Sequence, residues 1–281
     1  MWTFRHGAAD WRVDRPRWRL RVPGVAMAGF DVREADAVRM VPHPAVTLLI
    51  DFGTASPTVD YGAGLRRRGS MVAGPGFGAG GAVWAHGLAA ECVQVRLSPV
   101  IARAVLGIDP GDLDEGAAIA LDDVWGRPTT RLRERLAAMP WQERFAALEA
   151  LIAGRLAAAR AADPEVVWAW KRIVAAGGAL RIERLADEVG WSRKRLWSRF
   201  GTQLGVAPKR AAKLVRFDRA AHRLVAGDSA ARVAAVGGFA DQSHLHRDVR
   251  DFIGVTPAAV PDETFLAVDH IAWDAHPPSR R

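Results

Sequence analysis

The sequence predicts an α+β chain built of two unlike parts. A β-rich N-terminal domain with closing helices comes first, followed by an all-α domain in which two helix-turn-helix units are joined by a long helix. Three observations carry this. Up to about residue 125, short apolar runs are bounded by glycine and proline, whereas after Thr129 the apolar residues step by three or four. The 281-residue chain has a net charge of +8, and about +7 of it falls in residues 165–262. Within that basic block, one layout of small, turn-forming and aromatic residues occurs twice.

In the first part, residues 46–52 form a β-branched and aromatic run between Pro44 and Gly53, and residues 91–97 alternate apolar with polar side chains. Gly62, Gly64, Gly69, Gly74, Gly76, Gly78, Gly80 and Gly81 come at the density of turns, as in a sandwich or barrel. Leu132, Leu136 and Met139 then fall at helical spacing. After Pro140, so do Trp141, Phe145, Leu148, Ile152 and Leu156, which together form one apolar stripe. This helical pair is expected to close the first domain, at residues 1–163, its stripe either packing on that domain or forming a homodimer seam. Asp163 and Pro164 fit an N-cap and a first helical turn, opening a second domain at 164–262. Residues 263–281 form a tail to which the sequence assigns no role.

The repeated layout runs Leu185-Ala186, Gly190, Trp191, Ser192 and again Val233-Ala234, Gly238, Phe239, Asp241. Alanine lets two helices cross closely, glycine supplies a left-handed turn residue, the aromatic fills the corner, and Ser or Asp caps the second helix. Between the two units, residues 208–226 begin with proline and carry Leu214, Phe217, Ala221 and Leu224 on one face. A helix of that length spans roughly 28 Å, near one ~34 Å turn of B-DNA.

Gly238, Phe239, Asp241, Gln242, His244, Leu245, Arg247, Phe252, Gly254, Thr256 and Pro257 resemble the second-motif signature of the AraC/XylS family of bacterial transcription regulators. Leu185, Ala186, Gly190, Ser192, Leu196, Phe200, Gly205, Pro208, Arg216, Ala220 and Leu224 fit its first half. Departures are Gly237, where a larger apolar residue is usual, and Val249, where Phe is common. The resemblance implies a sequence-specific regulator with double-stranded DNA as its partner. It implies base reading by Arg193, Lys194, Trp197 and Ser198 in the first unit and by Gln242, Ser243, His244, His246 and Arg247 in the second. Arg and Lys suit guanine and Gln suits adenine, whereas Trp197 suits a thymine methyl or a sugar. Arg195, Arg199, Lys209, Arg210, Lys213 and Arg250 are better placed for phosphate.

The same resemblance implies an N-terminal sensing domain, often cupin-like, under the control of a small-molecule effector or of dimerisation. The residues name no effector. Phe77 and Trp84 suit either an apolar pocket or a core, and Arg66, Arg67 and Arg68 suit a solvated loop or an anionic ligand. His6, His43 and His86 lack the spacing of a cupin metal motif, so no metal and no cofactor are expected. The alternative is a cupin-type metal-dependent enzyme domain fused to a DNA-binding unit, but no nucleophile elbow, P-loop, dinucleotide fingerprint or zincin motif occurs. The single Cys92 excludes a disulfide framework. The N-terminus has no apolar h-region, and the longest apolar run, residues 45–50, is too short to cross a bilayer. A cytoplasmic protein that does not engage membranes is expected.

Overall fold

The computed structural model describes residues 2–6, 9–53, 56–61, 66–77, 83–113 and 118–273. Gly62, Gly64, Gly78, Gly80, Gly81 and the tail beyond 273 lie outside these, and nothing is described of the His6 side chain. The strands are β1 (Trp2–His6), β2 (Ala9–Asp14), β3 (Val25–Arg39), β4 (Val46–Asp51), β5 (Thr58–Asp60), β6 (Arg66–Arg68), β7 (Met71–Ala73), β8 (Trp84–Leu97) and β9 (Ile119–Ala120). They form one antiparallel sheet centred on β8. This strand pairs β3 along its whole length, β4 along its C-terminal half and β5 along its N-terminal half. A bulge between Val32 and Ala35 interrupts the β3–β8 ladder; such an irregularity bends a long strand and deepens its twist. The Arg66–Arg68 run is strand β6 and not a loop, and Arg66 pairs with Asp60.

Period-two alternation sends side chains to two cores. Val46, Leu48 and Ile50 of β4 and Val93, Val95 and Leu97 of β8 face helices, whereas Phe30 and Val32 of β3 and Cys92 face the concave side. The covering helices are α1 (Pro99–Leu106), α2 (Leu121–Trp125), α3 (Pro128–Ala137) and α4 (Trp141–Ala158). Phe145, Leu148 and Ile152 are buried against the sheet, so the centre of the α4 stripe packs on its own domain, while Trp141 and Leu156 at its ends are half-buried. Cys92 is buried and its thiol is raised well above the usual range, first by burial and then by Asp51 and Glu91; it stays a protonated core residue.

The C-terminal unit contains α5 (Pro164–Ala175), α6 (Glu183–Glu188), α7 (Arg193–Leu204), α8 (Pro208–Val225), α9 (Ala230–Val236) and α10 (Gln242–Ile253). Pro164 occupies the first turn of α5 as expected. Asp163, however, makes no capping bond: its carboxylate accepts from Arg199 instead, at 2.8 Å. The tail is not a loose extension. A 3-10 turn (Pro257–Asp262) leads into α11 (Thr264–Ala272), which lies across both parts of the molecule. Leu266 joins the core of the C-terminal unit, and Val268, Ala272 and Trp273 join the concave core of the sheet.

A buried charge cluster sits where these parts meet. His43 Nδ1 is 2.9 Å from Asp218 of α8, and its Nε2 is 3.5 Å from Asp269 of α11. Asp269 also accepts from Arg96 of β8 at 2.6 Å and lies 3.3 Å from His222 Nε2 of α8. Burial alone would strip the proton from His222, but the Asp269 and Asp218 carboxylates outweigh it and raise the imidazole to about 9. Burial works against both carboxylates too. The surrounding cations outweigh it and hold Asp269 and Asp218 below the usual range.

Two outcomes are expected. Phe145→Ala should cost about 3–5 kcal/mol of unfolding free energy, read as a lowered denaturant midpoint at unchanged slope. The second concerns pH. Because His222 is raised, its stabilising contribution is complete below its ordinary 6.5 and is lost as pH rises through about 9. His222→Gln should therefore flatten the decline of melting temperature across that window. A decline as steep as that of the unaltered chain would contradict the assignment.

Candidate nucleic-acid interface and an apolar cavity

Each helix-turn-helix forms for the reasons its sequence suggests. Gly190 and Gly238 take φ of 67° and 76° at the two corners. A Cβ on Gly238 would come within 2.4 Å of Ala179 Cβ, so both backbone conformation and close packing require glycine there. Ser192 Oγ accepts from the Arg195 N–H and Asp241 Oδ1 from the His244 N–H, capping α7 and α10, the second helices of the two units. Gly237, the departure from the family pattern, has its own reason: a Cβ there would meet the Phe239 ring at 3.0 Å and the Val233 carbonyl at 2.6 Å.

Helix α8 holds the two units in one frame. Leu214, Phe217, Ala221 and Leu224 are buried on the side of α9 and α10, and Ala211, Ala212 and Val215 on the side of α6 and α7. Arg216 donates to Asp248 of α10 at 2.7 Å, and its guanidinium lies 5.0 Å from the Phe239 ring. Arg219 donates to the Val174 carbonyl at the end of α5, at 2.7 Å.

On this frame Arg193, Lys194 and Ser198 of α7 are exposed, as are Gln242, Ser243 and Arg247 of α10; Trp197 and His246 are half-buried. Lys209 and Arg250 are exposed and Arg210 is half-buried. Arg195 is exposed and lays its guanidinium 4.2 Å over the Trp191 ring. Three of the expected contact residues have partners within the protein. His244 turns inward: Nδ1 accepts from the Ala240 N–H at 3.2 Å, Nε2 lies 3.3 Å from Arg216, and the ring meets Phe239 edge-on. Arg199 is committed to Asp163, tying α7 to the segment before α5. Lys213 is committed to Asp251 at 2.6 Å and Asp248 at 3.3 Å, tying α8 to α10. The sequence reading gave Asp248 no role, yet at 3% exposure it anchors α10 to α8.

A second site lies in the concave side of the sheet. A cavity of about 80 Å³ is walled by Trp11, Phe30, Val59, Met71, Phe77 and Phe265, with His43 and Gln94 as polar members. Phe77 reaches it, whereas Trp84 does not and instead lies under the Arg39 guanidinium at 4.5 Å. Trp11 is 3% exposed, and its indole N–H has no hydrogen-bond partner among the described residues. Among the described residues, no group of three or more His, Cys, Asp or Glu is arranged to hold a metal ion, and no helix is long and apolar enough to cross a membrane.

Comparison with known proteins agrees with this layout. A family model described as a helix-turn-helix domain matches residues 185–262. No curated protein matches the chain in sequence. Among solved structures, an apo, singly substituted ToxT from Vibrio cholerae strain SCE256 superposes with a TM-score of 0.50 at 11% identity, over 87% of this chain and 99% of that one. A wild-type ToxT from the same strain, described as bound to an unsaturated fatty acid, gives 0.48 at 11% identity over 88% and 98%. The xylose-binding transcription activator XylR gives 0.33 at 21% identity, over 52% of this chain and 40% of that one. Residues 185–262 are a helix-turn-helix domain of the AraC type, and a domain of this kind marks the chain as a DNA-binding regulator.

Proposed function

We propose that this regulator reads two half-sites on one face of the DNA, with α7 entering one major groove and α10 the next. The observation that carries this is α8: it holds both capped reading helices in one ion-paired frame, with Arg193, Lys194, Gln242 and Arg247 exposed. Eighteen residues make α8 about 27 Å long, near one helical repeat of B-DNA. Lys194 and Arg247 read bases, together with Arg193, Ser198, Gln242 and Ser243; Trp197 and His246 pack at the groove edge. Lys209, Arg210, Arg195 and Arg250 hold phosphate. The N-terminal domain acts as a sensor in the cytoplasm, and the chain works by binding and not by catalysis. Its effector is a small, largely hydrocarbon molecule with one hydrogen-bond acceptor. Apolar walls, a Trp11 N–H without a partner among the described residues, and His43 in the wall support that class.

In vitro selection from random duplexes should return two half-sites about 10 base pairs apart. Recovery of unenriched sequence at moderate salt would contradict the reading. On the selected duplex, Lys194→Ala and Arg247→Ala should each cost about 1–3 kcal/mol and relax preference at one base position. Lys209→Ala should weaken all duplexes alike and reduce the salt slope by about one. Equal loss on every sequence for Lys194→Ala would remove it from the base-reading set.

A further inference from the structure

The segment 263–273 follows the second helix-turn-helix unit and folds back over the sensing domain. Each turn of it grips something different. Glu263 lies 3.1 Å from Arg39 Nε, while Arg39 Nη1 donates at 2.8 Å to the Ile253 carbonyl at the end of α10. Phe265 walls the cavity. Leu266, 1% exposed, is packed in the core of α8 and α10. Asp269 is shared by Arg96 of the sheet and His222 of α8. Trp273 lies 6.5 Å from Phe30 and under the Arg96 guanidinium at 4.1 Å. The segment is therefore wall to the cavity and neighbour to the frame of the DNA-binding unit.

We propose that residues 263–273 are a strap that transmits filling of the cavity to α8 and to the end of α10, and so to the relative placement of the two reading helices. The proposal rests on the reading of the cavity as the effector site. Its argument is volumetric and mechanical. At about 80 Å³ the cavity is near half the ~150 Å³ that accommodates benzene. A larger guest presses on the walls. The sheet walls are held by ladders on both sides, whereas Phe265 sits on a single nine-residue helix. A helix moves as a unit, so displacing Phe265 carries Asp269 away from His222 and Leu266 out of its seat against α8. Glu263 pulls on Arg39, and through it on the last carbonyl of α10. His43 adds a second route to the same helix, since it lines the cavity and bonds Asp218.

Hydrogen exchange read by mass spectrometry on the full chain tests this. In unliganded Asp269→Asn, amides of α8 and of the last turn of α10 should exchange about tenfold faster, with α6 unchanged. Unchanged protection of α8 would overturn the strap. If every element loosens together, the chain has been destabilised globally. Phe265→Ala, which keeps all the ion pairs, then decides by the same criterion. With 1-octanol as the probe, exchange should rise in α11 and α8 of the unaltered chain but stay confined to the sheet in Asp269→Asn. A response confined to the sheet in both would overturn the strap and leave the cavity reading standing. No response to 1-octanol anywhere would count against the cavity reading, and the unliganded arm would still decide the strap.

Discussion

The placement of helix α8 is the constraint on which the rest of the structure depends. Its proline lies at the first turn, where a missing N–H costs nothing, and its interior is uninterrupted, so it behaves as a rod. Both of its long sides are buried, one against each helix-turn-helix unit. The separation of α7 and α10 therefore follows from rod length and from which residues of α8 each unit packs on. Arg216 and Lys213 fix α10 against it through Asp248. Truncating such a buried ionic partner generally costs more than the pair contributes net, because the remaining charge is left in a dry site. These contacts act mainly by specifying one arrangement.

The same logic governs the contact between the N-terminal domain and the DNA-binding unit. Arg96 and a protonated His222 offset the charges of Asp269 and Asp218, so both buried carboxylates are paired when His222 keeps its proton. A paired buried cluster adds little net stability but penalises any shift that separates its members. Its members come from four elements: His43 from the segment before β4, Arg96 from β8, Asp218 and His222 from α8, and Asp269 from α11. A change on the N-terminal side thus has a defined place to act, and the near-neutral N-terminal domain is joined to the basic domain by paired buried charges.

The two-part architecture was legible because it rests on local signals. Alternation at 46–52 and 91–97, the period change after Thr129, and glycine followed by an aromatic and a cap at Gly190 and Gly238 all act within a few residues of themselves. The fate of individual cations was not legible. Arg199, Lys213 and His244 look like exposed groove residues in sequence, but each meets a partner brought in by tertiary packing. His43 and Asp218 are 175 positions apart, and no spacing rule joins them. The cavity was hidden for another reason: the alternating apolar side chains that line a void are the same ones that would fill a core. The tail did carry a signal, since Phe265, Val268 and Ala272 fall at helical spacing, but which surface that stripe would cover depends on the assembled sheet.

Hydroxyl-radical footprinting of the full chain on its selected duplex tests the central claim most directly. If α7 and α10 occupy successive major grooves, two protected patches should appear on one face of the helix, about 10 base pairs apart. Arg247→Ala should weaken only the patch under α10. A single continuous patch, or two patches on opposite faces, would show that the frame built on α8 does not present both helices to the DNA together.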